Sequence, residues 1–137
     1  MPAEVAAAFA SYPLVVASTL ADVRLLIFAT AAETESVGPL TETLKWGEPA
    51  YLTEQSKSGS TIRLGPVPGR ADRCAVLFNC NTTLVDDFRA LFADELAYSG
   101  NRAIVLHAGA PAPEPLRICI RMALTYHRAK KRLAPIR

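Results

Sequence analysis

The segment from Leu44 to Thr53, LKWGEPAYLT, carries the residues best suited to binding a small ligand. Trp46 is the only tryptophan of the chain, and Tyr51 follows it after a Gly-Glu-Pro break. Aromatic rings with a few polar groups are typical of small-molecule pockets, and Lys45 and Glu48 would supply the polar groups here. The alternative is that both rings pack in the core, where replacing a buried tryptophan by alanine costs about 3–5 kcal/mol. We favour the core role and keep the pocket as a hypothesis.

The two histidines belong to no recognisable metal or catalytic motif. His107 ends a predicted strand and is a further candidate for the pocket, whereas His127 lies in the last predicted helix. His-x-x-x-His and Glu-x-x-His spacings are missing from the sequence, and so is a Gly-x-Ser-x-Gly elbow. A Cys–His or Ser–His pair stays open, because such partners meet in space and not in sequence. We therefore assign no catalytic residue and no cofactor, and keep an uncharacterised hydrolase or transferase as an alternative.

Basic residues are concentrated in the last predicted helix. Four of them fall close to one helical face: Arg117, Arg121, Arg128 and Arg132. A solvated face that also suits the helix dipole is the simpler interpretation, and an anionic partner is the alternative. No aromatic residues alternate with these arginines on the predicted exposed face, so nucleic acid is not favoured as the partner.

Length, composition and charge are those of one soluble domain covering residues 1–137. The net charge of +2 does not by itself indicate nucleic-acid binding. The three cysteines form no Cys-x-x-Cys pair, which predicts reduced thiols. No basic residue precedes Arg24, and Pro13 and Asp22 interrupt the best apolar run, so we expect neither a signal peptide nor a membrane span. These features predict a cytoplasmic protein.

The hydrophobic pattern changes from helical to alternating along the chain. Helical spacing predicts two N-terminal helices, the second from Pro13 to about Ala32. The strand-like segments that follow are Leu44–Trp46, Thr61–Leu64, Cys74–Cys80, Leu96–Tyr98 and Arg102–His107. A helix with Leu84 and Phe88 on one face separates the central strand from the last hairpin, and a long helix from about Glu114 to Arg132 ends the pattern. Strands joined by turns predict an α+β fold with a mostly antiparallel sheet.

Three segments in order resemble the YdhG-like family of domains of unknown function. Leu44–Tyr51 resembles the family's signature, and Gly100–Ile104 and Leu116–Ile120 resemble its later segments. The resemblance covers about Phe9 to Arg132. It implies a compact cytoplasmic α+β domain with a curved sheet and no known catalytic residues. We therefore expect a small ligand-binding or accessory module.

One branch of that family is described as frataxin-like iron chaperones. Such a role requires surface carboxylates, because ferrous iron prefers hard oxygen ligands in such sites. The only acids close together in the sequence are Asp86 with Asp87 and Asp94 with Glu95, so these are the candidate iron ligands. As partners we expect an unidentified small molecule or protein and no membrane, with the chain a monomer or a homodimer. A purely structural or dimer-forming role is a further alternative.

Overall fold

A computed structural model describes residues 1–133 of the chain, with side chains described through residue 130. The fold is α+β, with helices packed on a curved, open sheet of six antiparallel strands. The helices are α1 (Ala3–Ser11), α2 (Leu14–Glu33), α3 (Leu84–Leu91), α4 (Pro115–Leu124) and α5 (Tyr126–Leu133). The strands are β1 (Thr41–Lys45), β2 (Glu48–Leu52), β3 (Ile62–Val67), β4 (Arg70–Leu77), β5 (Ala97–Ser99) and β6 (Ala103–His107). The predicted fold class is confirmed.

The strands lie in the order β1-β2-β3-β4-β6-β5. Turns join β1 to β2 and β3 to β4, whereas α3 lies between β4 and the last hairpin. Strand β6 therefore returns to pair with β4, and β5 becomes an edge. The apolar run beginning at Cys74 lies in β4 at the interior of the sheet, as the sequence predicts.

One face of the sheet and the inner side of α2 form the core. The predicted apolar stripe of α2 is confirmed, since Val16, Leu20, Val23 and Ile27 are all fully buried. Facing residues of the sheet are buried with them: Tyr51, Ile62, Leu64, Val76 and Ile104. Residues between these on each strand point to the other face of the sheet. That second face carries Lys45, Glu48 and Arg63.

Helix α2 is long and apolar enough to cross a membrane by length and composition alone. Its most apolar window has a mean hydropathy of 1.8, and 39% of that window is buried in the fold. The expectation that Pro13 and Asp22 interrupt this run is wrong, because Pro13 precedes the helix and Asp22 lies within it. The core helix of a soluble protein has the same properties.

The predicted long C-terminal helix is two helices, α4 and α5, separated at Thr125. The cause lies in the loop between β2 and β3, which docks on the junction. Ser58 donates its hydroxyl to the carbonyl of Leu124 at 2.7 Å. The backbone N–H of Ser60 donates to the carbonyl of Ala123 at 2.8 Å. These bonds satisfy carbonyl groups that would otherwise be left open at the end of a helix.

Ser58 also caps the N-terminal end of α5. The Ser58 carbonyl accepts hydrogen bonds from the backbone N–H groups of His127 and Arg128, at 2.9 and 3.0 Å. Gly59 lies so close to α4 that a Cβ there would be 2.3 Å from the Leu124 carbonyl oxygen. The helix therefore breaks because a distant loop caps both new ends, and no proline or glycine near Thr125 signals the break.

Candidate functional site

Trp46 and Gly47 form the two-residue turn between β1 and β2. Lys45 pairs with Glu48 in the ladder, and the turn residues have φ angles of 55° and 75°. Positive φ at both positions is the requirement of a type I′ hairpin turn, which favours Asn-Gly. The predicted break after Trp46 is therefore a tight turn, and Glu48 and Pro49 belong to β2.

The expectation that Trp46 packs in the core is wrong. Its side chain is 90% exposed, because the tip of the hairpin extends beyond the sheet and the helices that cover it. An L-residue with a bulky side chain rarely adopts a positive φ. The fold thus places its only tryptophan in an unfavourable backbone conformation and in contact with solvent.

Tyr51 has the opposite role and is a core residue. It is fully buried, its ring meets the Phe28 ring edge-on with centroids 5.7 Å apart, and its hydroxyl donates to Glu42 Oε2 at 2.9 Å. Burial, the hydrogen bond to Glu42 and the charge of that residue raise the pKa of Tyr51. Tyr51 therefore packs the interior and is not a pocket wall.

Glu42 also joins the sheet to α2. Arg24 donates from Nε to Oε2 at 2.5 Å and from Nη2 to Oε1 at 2.9 Å. The Glu42 side chain is only 8% exposed. The hydrogen bond from Arg24 lowers the pKa of Glu42 despite burial. This partly buried pair, whose carboxylate also accepts from Tyr51, is a structural link between α2 and the edge strand β1.

A cleft of about 660 Å³ opens beside the β1–β2 turn and is referred to here as the Trp46 cleft. Its polar and aromatic lining includes Lys45, Trp46, Arg63, Asn79, Asn81 and Arg102. The register explains part of this grouping, because Arg63 pairs with Leu77 and Leu77 pairs with Ala103. Arg102 and the loop after β4 therefore lie next to Arg63, and β1 and its turn complete the cleft.

Glu48 is not among the lining residues but lies beside the cleft, paired with one of them. Its Oε1 accepts a hydrogen bond from Arg63 Nη1 at 2.6 Å. The other oxygen, Oε2, lies over Gly65, where a Cβ would be only 2.0 Å away. Burial raises the pKa of Glu48, while the charges of Arg63 and Arg102 act in the opposite direction. The carboxylate thus partly neutralises a cleft that is otherwise cationic.

Seven of the nine lining residues were not predicted from the sequence: Thr61, Arg63, Phe78, Asn79, Cys80, Asn81 and Arg102. One signal was available, because alternation in Thr61–Leu64 places Arg63 on the face opposite Ile62 and Leu64. The contribution of Arg102 depends on β6 pairing with β4 and not only with β5, which a local pattern does not specify.

His107 does not join this site. It ends β6 at the opposite end of that strand from Arg102 and pairs with Arg73 of β4. It lines a separate cavity of about 290 Å³ with Asp94 and Glu95. The pocket predicted around Lys45, Trp46, Glu48, Tyr51 and His107 is therefore corrected. Lys45 and Trp46 line the cleft, Glu48 adjoins it through its pair with Arg63, and Tyr51 and His107 lie elsewhere.

The predicted basic face is also divided. Arg117 and Arg121 are exposed on α4, and Arg117 pairs with Glu33 of α2. Arg128 is exposed on α5, beyond the break at Thr125. The side chain of Arg132 lies outside the described residues. The part of the face that is described is exposed and spread over two helices.

The candidate iron ligands are dispersed. Asp86 Oδ1 lies 3.8 Å from Arg89 Nη1, and Asp87 Oδ2 accepts a hydrogen bond from Thr83 Oγ1 at 2.9 Å. Asp94 and Glu95 line the cavity that contains His107. Among the described residues, no group of three or more His, Cys, Asp or Glu side chains could hold a metal ion. The geometry of the described residues thus gives the iron prediction no support.

The cysteines differ in exposure. Cys74 and Cys119 are buried, and burial raises their pKa to about 11 and about 12. Cys80 is exposed and lines the Trp46 cleft. Two of the three thiols are therefore inert core groups.

Neither a protein-family model, nor a curated protein, nor a solved structure matches this chain. The resemblance to the YdhG-like family accordingly stays a prediction.

Proposed function

We propose that this protein is a small binding module whose Trp46 cleft holds an anionic small molecule with a planar or apolar group. The observation that carries the proposal is the position of Trp46. The residue is 90% exposed, has a positive φ and lies on the rim of a cationic cleft.

Trp46 contributes little to the fold that contains it. An exposed ring buries almost no surface, and a bulky side chain at positive φ costs roughly 1 kcal/mol relative to residues that tolerate it. Unfavourable backbone conformations are concentrated at functional sites. Tryptophan is also a frequent anchor in binding interfaces. A contact with a ligand would explain why this turn does not carry the residue that its geometry prefers.

The charges of the cleft favour an anion. Lys45, Arg63 and Arg102 bring three cations to one concave surface, and Glu48 neutralises part of that charge. Arginine is well suited to carboxylates and phosphates, because its planar guanidinium donates two parallel hydrogen bonds. The volume of about 660 Å³ lies within the range of small-molecule sites, roughly 300–1,000 Å³.

Membership of the YdhG-like family and a cytoplasmic location are part of this proposal. The α+β fold and the exposed thiol of Cys80 are consistent with both. Iron delivery is not included, since the described acids do not converge. The hydrolase or transferase alternative gains nothing from the cleft, whose described lining contains neither His107 nor His127.

The test uses Trp46 as the only tryptophan, so that all tryptophan emission reports on the cleft. Emission is recorded while inorganic phosphate, citrate and phenyl phosphate are added separately. We expect a saturable change with at least one of these anions, and its loss in Arg102→Ala. Arg70→Ala is the matched control, because Arg70 is an exposed arginine that pairs with Asp72 away from the cleft. If none of the three anions changes the emission, the proposal is overturned.

A further inference from the structure

Resting on the proposed function, we infer that the ligand of the Trp46 cleft is a phosphate monoester of a planar heterocycle, the class to which nucleoside monophosphates belong. Three features of the cleft favour this ligand: the arrangement of its cations, its net charge and the groups that surround Trp46.

The cations approach the cleft from three separate parts of the sheet. Lys45 lies at the end of β1, Arg63 lies within β3, and Arg102 immediately precedes β6. Such an arrangement can meet the three terminal oxygens of a phosphate monoester from different directions. A carboxylate has two oxygens in one plane, and a single arginine satisfies them.

The net charge also fits this ligand. Three cations line the cleft, and Glu48, which lies beside the cleft, accepts a hydrogen bond from Arg63 at 2.6 Å. Three cations offset by this one adjacent carboxylate leave about two positive charges. A phosphate monoester carries between one and a half and two negative charges near neutral pH. A phosphodiester carries one, and therefore matches less of the cationic charge. The charge balance thus favours a terminal phosphate over the internal phosphates of a nucleic acid.

The remaining lining suits a heterocyclic ring. Trp46 presents an exposed indole face, and stacking of a base on an aromatic side chain contributes to affinity without depending on base identity. Asn79 and Asn81 line the same cleft, and Asn79 Oδ1 accepts a hydrogen bond from the backbone N–H of Asn81 at 2.8 Å. The Asn79 NH₂ group and the Asn81 amide can hydrogen-bond to the edge of a base. A ring against Trp46 and a phosphate at the arginines would use both parts of the site.

The experiment measures binding of adenosine monophosphate, adenosine, inorganic phosphate and citrate by calorimetry, with Trp46 emission as a second signal. We expect adenosine monophosphate to quench Trp46 and to bind at least tenfold more tightly than either adenosine or inorganic phosphate. In Arg102→Ala its affinity should fall roughly tenfold to a hundredfold, as expected when a charged hydrogen-bond partner is removed. The exposed Arg70→Ala again serves as control.

The possible results distinguish failure of this inference from failure of the proposed function. If citrate binds as tightly as adenosine monophosphate, the cleft binds anions but the inference is overturned. If a hexamer of adenylate without a terminal phosphate binds more tightly than the monophosphate, the inference is overturned in favour of a nucleic-acid surface. If adenosine monophosphate fails to bind and phosphate, citrate and phenyl phosphate fail as well, the inference and the proposed function are both overturned.

Discussion

At the scale of single residues, two side chains of one hairpin have roles that composition cannot distinguish. Trp46 and Tyr51 are both aromatic and are five positions apart, yet one is 90% exposed and the other is fully buried. The difference follows from the turn. Once Trp46 and Gly47 occupy the turn, Tyr51 falls on the face of β2 that meets α2, and Trp46 extends beyond the sheet. The sequence identifies Trp46 as unusual, but the turn type decides its exposure.

We expect Trp46→Asn to weaken binding of adenosine monophosphate about fivefold to a hundredfold, because a stacked base contributes about 1–3 kcal/mol, while leaving the fold as stable or more stable. Asn-Gly is preferred at type I′ positions, and the gain should be between zero and about 1 kcal/mol. Calorimetry measures the binding, and urea unfolding followed by circular dichroism measures the stability. A substantial loss of stability would show instead that Trp46 supports the fold. Phenylalanine at the same position, which keeps a ring, is the matched variant and should retain part of the affinity.

Glu48 competes with a bound anion for Arg63. Because the pKa of Glu48 is raised by burial, its carboxyl group takes up a proton at a higher pH than an exposed glutamate does. Protonation releases Arg63, so the affinity for an anion should increase as the pH falls toward that pKa. Sulfate is a suitable probe, since its charge is constant in this range. We expect Glu48→Gln to bind sulfate more tightly than the unsubstituted protein near pH 7. Its affinity should then increase much less on acidification than that of the unsubstituted protein. Equal pH dependence in both proteins would contradict this role.

At the scale of elements, the loop between β2 and β3 determines where α4 ends. Local sequence favours one continuous helix, since neither Gly nor Pro lies near Thr125. The break comes from hydrogen bonds between Ser58 or Ser60 and residues about 65 positions away. Helix propensity is a weak preference that such tertiary contacts override.

Gly59→Ala should destabilise the protein by about 1–3 kcal/mol. The new methyl group would be 2.3 Å from the Leu124 carbonyl oxygen, so that backbone must move, and overpacking of this kind has that typical cost. Thermal unfolding monitored by circular dichroism measures the effect. Gln55→Ala changes an exposed residue of the same loop and should be neutral. Equal stability of the two variants would mean that the loop does not press on α4.

At the scale of the whole molecule, the sequence predicts the layers well and the site poorly. The apolar stripe of α2, the interior position of β4 and the α+β class follow from local periodicity. The Trp46 cleft depends on the order of strands, because Arg102 approaches Arg63 only when β6 inserts beside β4. The separation of His107 from Trp46 has the same origin. Periodicity assigns a residue to a face, and pairing over long distances decides its neighbours.

The Arg24–Glu42 pair should make global stability sensitive to acid. The folded pKa of Glu42 is lowered from its ordinary value of 4.5. The contribution of Glu42 to the free energy of unfolding is therefore fully present above about pH 4.5 and is lost as the pH falls through the folded pKa. We expect Glu42→Gln to lower the free energy of unfolding by about 1–3 kcal/mol at pH 7, because the partly buried charge on Arg24 loses its charged hydrogen-bond partner. Below pH 4.5 the stability of the variant should decrease less than the stability of the unsubstituted protein does.

Urea unfolding at pH 7 and at pH 3.5 measures both effects. Glu54→Gln is the control, since Glu54 is exposed in the β2–β3 loop. It should leave both the stability at pH 7 and its dependence on pH unchanged. If Glu42→Gln behaves like this control, the pair is not a structural link between α2 and β1.

Because Ser58 caps both the end of α4 and the start of α5, it also affects the order in which parts of the protein fold and open. Helix α5 has eight residues, and a helix that short is unstable in water by itself. Its first N–H groups are bound by a loop that lies 66 positions before Leu124, so α5 gains its partner only after the sheet has brought that loop into place. We expect α5 to be among the last parts of the chain to become ordered and the first to open. In native-state hydrogen exchange, the amides of residues 127–130 should exchange through a local opening that leaves β3 and β4 protected.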